Sequence, residues 1–380
     1  RFIDLLETST SNDHSAVEAL EKACEPAKFG RGDETVLDET YRKAGKMDAD
    51  NFMTGLDLEV TGLRDVVQLG LLDDKKQKRS MHAELYKLNV YGEGAFFKAH
   101  KDTPRSQSMF GSLVIIFPTP HEGGALVLRH KNKEFTFDAA ALLSGRSSSI
   151  AYVAFFSDVE HEVMPVISGH RITLTYNLYY GAHHDDSASS TGSLEVLQPL
   201  HSNASTVKLE LSALLDDATF MPEGGTLGFG LRHSYPIPKV WMHGMESPLK
   251  SLRAWLKGSD AALFAACEAL GVSPLLRLIC RESEGEFQRE IVLNRMMDLG
   301  DCIESAAYEL QRRGGLCVNS YTAPQDDITV HWLTKPGSKD GPSSAYTAYG
   351  NEASLEWLYT GVCLLVKIGP YGERSVKSDT

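Results

Sequence analysis

Between Leu85 and Leu178 the chain is a succession of short runs rich in Val, Ile, Leu, Phe and Tyr, cut apart by Gly, Pro, Asn and Ser. Runs of this kind between turn residues read as strands. They fall at Leu85–Tyr91, Phe96–Lys101, Ser112–Phe117, Ala125–His130, Glu134–Phe137, Ser149–Phe156, Glu162–Val166 and Arg171–Leu178. So many short strands in about a hundred residues predict a double-sheet barrel or jelly roll, and set the unit at residues 81–180.

The flanks read differently. His14–Lys22 carries apolar residues at helical spacing, and Asp33–Ala44 opens on an Asp suited to capping a helix, so residues 1–80 are expected to be a helical N-terminal flank. The charged run Asp73–Arg79 marks its end. The small, polar stretch Gly181–Ser193 has nothing to bury and is expected to be a linker. Beyond it, residues 194–380 mix strands (Thr226–Leu231, Ile328–Leu333, Thr360–Lys367) with helices (Asp260–Leu270 and Gly300–Arg313), an α/β unit. Glu122–His130 resembles Glu223–His233, and Ser168–Leu174 resembles Thr360–Val366, which leaves open a degenerate second barrel. Such a copy would carry Cys363 and Ala353 where Arg171 and His161 stand, and would not bind iron the same way. The expected fold class is mixed α+β, a double-stranded β-helix (jelly-roll) core between a helical flank and an α/β unit.

Composition narrows the function. A net charge of −13, with no stripe of Lys and Arg, disfavours nucleic acid. No apolar run reaches the roughly 18 residues of a membrane helix, so no membrane partner is expected. The six cysteines (Cys24, Cys267, Cys280, Cys302, Cys317, Cys363) lack the close pairing of a zinc site or disulfide scaffold, which fits a reducing compartment, cytoplasmic or nuclear. The chain opens on Arg1 rather than Met, and a removed upstream targeting segment stays open.

Two imidazoles and one carboxylate on one face of a metal are the donor set of oxygen-activating iron(II). Several His-x-acid triplets are present: His82-Ala-Glu84, His100-Lys-Asp102, and an overlapping pair in His183-His184-Asp185-Asp186. His183 and His184 fall in the polar linker, and His82 precedes the first strand without a later partner. His100 lies on a strand, where alternation would turn Asp102 to the same side. About sixty residues of short strands follow, then His161, and ten residues later Arg171 opens the strand Arg171–Tyr176. Alternation there puts Arg171, Thr173 and Thr175 on one face and Ile172, Leu174 and Tyr176 on the other. An arginine facing a barrel interior needs an anionic partner, and an oxo-acid carboxylate suits a guanidinium's two parallel donors. Each residue alone reads as an ordinary core or surface side chain; the joint spacing is what points to a site.

The run Leu85–Asp102, with His161-Glu-Val-Met-Pro165 and Arg171-Ile-Thr173, resembles the prolyl 4-hydroxylase-type branch of the 2-oxoglutarate/Fe(II)-dependent oxygenases. Ser108–Leu113 and the pair Gly123-Gly124 make it similar to a group of fungal members of that branch. The resemblance implies that His100, Asp102 and His161 ligate iron, that Arg171 anchors the distal carboxylate of 2-oxoglutarate with Tyr91 donating to it, and that Val163 and Thr173 wall the pocket. The implied cofactors are Fe(II) and the co-substrate 2-oxoglutarate, with ascorbate left open. The implied reaction is hydroxylation of an unactivated C–H bond by O2, with succinate and CO2 as co-products. Asp102 argues against halogenation, which needs that position free. The substrate, peptide or protein side chain or small metabolite, is undecided, and so is a non-catalytic binding module, against which the intact ligand set speaks.

Overall fold

The expected strands pair into two antiparallel sheets in the computed structural model, which describes residues 3–5, 14–72, 80–181, 203–238, 247–284, 287–295, 306–318, 327–337, 350–353 and 356–374. The larger sheet has the order Glu25–Pro26, Gly45–Asp48, Met81–Tyr91, Arg171–Tyr180, Met109–Ile116, Ala151–Phe156. The smaller runs Lys133–Phe137, Leu126–His130, Glu160–Val163, Phe96–His100, Arg42–Lys43. Successive core strands cross from one sheet to the other, except at the hairpin of Leu126–His130 and Lys133–Phe137, whose two strands both lie in the smaller sheet; this is the jelly-roll arrangement. Phe97, Leu126 and Val163 of the smaller sheet pack with Tyr91 and Phe155 of the larger in one buried cluster. Each such side chain, once buried, contributes about 1.5–3 kcal/mol.

The central strands of the larger sheet are buried on both faces, and the two faces differ. Along Arg171–Tyr180, Ile172, Leu174 and Leu178 are fully buried on one side, the side expected to be apolar. On the other, Arg171, Thr173 and Thr175 lie in register with Tyr91, Asn89 and Lys87 of the neighbouring strand. A polar floor thus lies inside the barrel, and it is the floor of the site.

Residues 1–80 are not helical throughout. Helices span Ser15–Ala23 and Leu63–Leu71, but the expected helix at Asp33–Ala44 is replaced by strands. Phe29–Arg31 and Glu34–Val36 form a hairpin whose two-residue loop begins at Gly32 with φ +66°. That turn chemistry overrides the helical spacing that follows it. Arg42–Lys43 and Gly45–Asp48 then extend the two sheets.

The chain divides into two units. The first comprises Arg1–Leu71, Arg79–Val196 and Thr347–Leu355, so a short piece far along the sequence groups with the barrel. The second comprises Leu72–Lys78, Leu197–Tyr346 and Glu356–Thr380. Its main sheet has seven strands, in the order Asp327–Ile328, Leu316–Val318, Phe287–Leu293, Pro274–Glu284, Val362–Ile368, Gly225–Gly230, Val330–Thr334. Two of its pairings are parallel, and helices Asn203–Asp216 and Gly258–Ala269 bury Leu211, Leu215, Phe264 and Cys267 in a core with Leu278 and Leu364 of the sheet. Among the described residues this sheet, with its parallel pairs and packed helices, and the separate pair Tyr235–Pro238 with Trp357–Thr360 differ from the barrel's two antiparallel sheets; what Glu122–His130 and Glu223–His233 share is a Gly turn before a strand. Cys363 is a buried thiol of that sheet. Helix Ala306–Arg312 occupies the end of the expected Gly300–Arg313 helix, whose first residues lie outside the described ones. So do the linker after Gly181, with His183 and His184, and the charged run Asp73–Arg79.

Candidate metal centre

His100 and His161 meet because they are direct cross-strand partners, on Phe96–His100 and Glu160–Val163. Their ring centroids are 4.2 Å apart. His100 stacks on Phe97 at 3.5 Å, and His161 lies 4.8 Å from Phe155, so apolar rings close the pair in from two sides. Each imidazole donates Nδ1–H to the carbonyl two residues before it, His100 to Lys98 at 2.8 Å and His161 to Val159 at 3.1 Å. A carbonyl can only accept, so the tautomer is fixed and both Nε2 lone pairs are left for a ligand. Burial, and then the proximity of His161, hold the His100 pKa well below its ordinary value. It is therefore neutral, the form a metal requires.

Asp102 completes a group whose ligand atoms all lie within 4.8 Å of one another. Its Oδ1 stands 3.8 Å from His161 Nε2. Strand alternation is not what aims it, because the strand ends at His100. Two side chains do: Ser112 donates its hydroxyl to Oδ2, and Asn351 donates Nδ2–H to Oδ1 at 2.9 Å.

The same cavity is lined by Tyr91, Val163, Arg171 and Thr173, together with Lys87, Asn89 and Thr175. Arg171 is about 1% exposed. Its Nε has no hydrogen-bond partner among the described residues, and its guanidinium lies 5.5 Å from the Tyr91 ring. Burial draws its pKa down, with Tyr91 acting the other way and no carboxylate at hand among the described residues. An unpaired buried cation is costly unless a ligand supplies the anion. Room for the arginine stem depends on Gly124, at φ +67°, where a Cβ would meet Arg171 Cδ at 2.9 Å and Val166 Cγ2 at 3.0 Å. Gly124→Ala should therefore cost about 1–3 kcal/mol of stability through backbone strain and weaken co-substrate binding by displacing the guanidinium. Melting curves and a 2-oxoglutarate titration check this; a variant equal to wild type in both would remove Gly124 from the site's support.

Residues 86–180 match the family model described as the 2OG-Fe(II) oxygenase superfamily. This unit is a 2OG-Fe(II) oxygenase domain. The domain makes the chain a 2-oxoglutarate-dependent iron dioxygenase, with iron(II) and 2-oxoglutarate as cofactor and co-substrate. Among solved structures, a Pseudomonas putida prolyl-4-hydroxylase aligns at 20% identity over 47% of this chain and 88% of its own, with a TM-score of 0.29. A viral collagen prolyl hydroxylase from Paramecium bursaria Chlorella virus-1 aligns at 14% identity over 46% of this chain and 91% of its own, TM-score 0.29. A prolyl hydroxylase from Trichoplax adhaerens aligns at 18% over 46% and 78%, TM-score 0.30. No curated protein matches the chain in sequence. The oxygenase domain's residues fit both groups: the two-imidazole, one-carboxylate donor set suits iron(II), and the buried Arg171 guanidinium, with no acidic partner among the described residues, suits a dicarboxylate.

The residues that the resemblance assigns to the site, His100, Asp102, His161, Arg171, Tyr91, Val163 and Thr173, all line this one cavity. His82 does not: it lies on the strand Met81–Tyr91, exposed, its ring 6.5 Å from that of Tyr179. Other residues, not marked out by the sequence motifs, also line the cavity. Alternation along Leu85–Tyr91 puts Lys87 and Asn89 on the Tyr91 face, a signal present in the sequence. Arg42 comes from the segment expected to be helical; it donates to Lys28 O at 2.7 Å and Asn89 Oδ1 at 3.0 Å and lies 4.2 Å from the Phe97 ring centroid. Nothing local marks Asn351.

Among the described residues no helix is long and apolar enough to cross a membrane.

Proposed function

We propose that the chain hydroxylates an unactivated C–H bond, with His100, Asp102 and His161 holding iron(II) and Arg171 gripping the distal carboxylate of 2-oxoglutarate. Tyr91 and Thr173 stand beside that carboxylate, and Val163 walls the pocket. The observation that carries the reading is one cavity holding both a buried two-histidine, one-carboxylate cluster and a buried guanidinium that has no acidic partner among the described residues. When bound, iron(II) with 2-oxoglutarate and O2 supplies the oxidising power, and succinate and CO2 leave as co-products. The chain's own residues prepare the site. The Nδ1 bonds of His100 and His161 fix ring orientation before any metal arrives, which lowers the ordering cost of binding. Asp102, held through both oxygens, cannot swing away from the imidazoles. Phe97 and Phe155 keep water from the histidines, and so strengthen electrostatic interactions inside the site.

The resemblance to the prolyl 4-hydroxylase branch favours a peptidyl substrate. A second reading, a small polar metabolite, is favoured by the cavity's hydrogen-bonding wall of Lys87, Asn89, Thr175 and Asn351. The test of the shared chemistry is an anaerobic titration with iron(II) and 2-oxoglutarate, followed by the visible charge-transfer band that bidentate chelation produces. The band is expected with wild-type chain; folded protein that yields none, and makes no succinate in air, would sink the proposal.

A further inference from the structure

Residues 350–353 lie against the metal cluster although the family match ends at residue 180. This strap is latched by its backbone. Gly350 exchanges two hydrogen bonds of 2.9 Å with Gly30. Thr103 Oγ1 donates to Glu352 O at 2.6 Å and accepts from Glu352 N at 3.1 Å. The approach is so close that a Cβ on Gly30 would fall 1.7 Å from Glu352 O, and one on Gly350 would fall 2.4 Å from Thr103 Oγ1. Glu352 adds an ion pair with buried Lys87 at 2.7 Å and a second with Arg105. Asn351 is thereby delivered to Asp102, 249 residues away in sequence.

The orientation of its amide is determined. Thr103 N–H donates to Asn351 Oδ1 at 2.9 Å, and a backbone N–H can only donate, so the NH2 group must face Asp102. Asn351 Nδ2–H then engages one lone pair of Asp102 Oδ1, and the Ser112 hydroxyl engages one lone pair of Oδ2. That leaves one unshared lone pair on the oxygen that faces His161 Nε2.

We propose that Asn351 is a positioning residue for the metal centre, fixing Asp102 as a one-oxygen ligand, and that the oxygenase domain matched by the family model is incomplete without this strap. The inference rests on the ligand assignment proposed above. Groups that orient a metal ligand typically account for about 10–100-fold in metal affinity.

The experiment is an anaerobic titration of the full chain with cobalt(II), read by its visible spectrum, and with iron(II) plus 2-oxoglutarate. Wild type, Asn351→Ala and Asn351→Asp are compared, with melting of the metal-free proteins recorded alongside. Asn351→Ala should weaken metal binding about 10–100-fold. A dissociation constant within about twofold of wild type overturns the inference and leaves the ligand assignment standing. Asn351→Asp keeps the acceptor for Thr103, and so the latch, but sets a carboxylate beside Asp102; its cobalt spectrum should differ from wild type, and an unchanged spectrum overturns the inference even if the alanine variant fails to fold. Wild-type chain that binds neither metal overturns the ligand assignment and this inference together.

Discussion

His161→Ala, and equally His100→Ala, should abolish the charge-transfer band and iron-dependent succinate formation while the barrel stays folded. Losing an outer partner of a ligand costs about 10–100-fold, and losing one of three ligands removes more than that. The fold should survive because neither ring holds the sheets together. Among the described residues each donates to a carbonyl of its own strand or turn, and the pairing of Phe96–His100 with Glu160–Val163 is made by backbone. Truncation should cost about 1–3 kcal/mol, through a lost hydrogen bond and a small cavity. Succinate formation, circular dichroism and melting curves measured on the same samples separate the two effects. A folded variant with undiminished turnover would take that histidine out of the ligand set.

Arg171→Met should behave in an opposed way in two assays. Two charge-assisted hydrogen bonds to a carboxylate are worth about 1.5–3 kcal/mol each, so their loss should raise the 2-oxoglutarate dissociation constant about a hundredfold or more. The ligand-free chain should be no less stable than wild type, and more stable by about 1–3 kcal/mol, because a buried cation with no acidic partner among the described residues is replaced by an uncharged side chain of similar length. Adding 2-oxoglutarate with metal should raise the melting temperature of wild type, by mass action, and leave that of the variant nearly unmoved. An unchanged response to 2-oxoglutarate, or a variant destabilised by several kcal/mol, would mean that Arg171 is paired within the protein and is not the anchor.

Both predictions concern residues legible in the sequence, and the reason is local. His100 and Asp102 are two apart, Arg171 opens a strand whose alternation sets its face, and His161 stands ten residues before it. Alternation depends on backbone geometry alone, so it transfers from sequence to structure without knowledge of the neighbours. Lys87 and Asn89 are readable by the same rule, as polar side chains at every second position leading to Tyr91. The departure from helix at Asp33–Ala44 has a physical cause of the same scale: helical spacing weighs a dozen residues, whereas the Gly32 turn of the Phe29–Val36 hairpin, and the sheet edges open to Arg42–Lys43 and Gly45–Asp48, decide the outcome through partners elsewhere in the chain.

The sequence by itself determined the strand-rich core, the polar inner face of Arg171–Thr175 and the residue types of the site, because each follows from periodicity or spacing along one strand. Only the tertiary structure decided the rest. The register that sets His100 opposite His161 is a relation between two strands about sixty residues apart, and no property of either strand alone fixes it. The aim of Asp102 was expected from alternation but comes instead from Ser112 and Asn351. A hydrogen bond spanning 249 residues leaves no mark in the local pattern at either end; it exists because backbone pairing at Gly30 and the hydroxyl of Thr103 hold the strap where the carboxylate needs a donor.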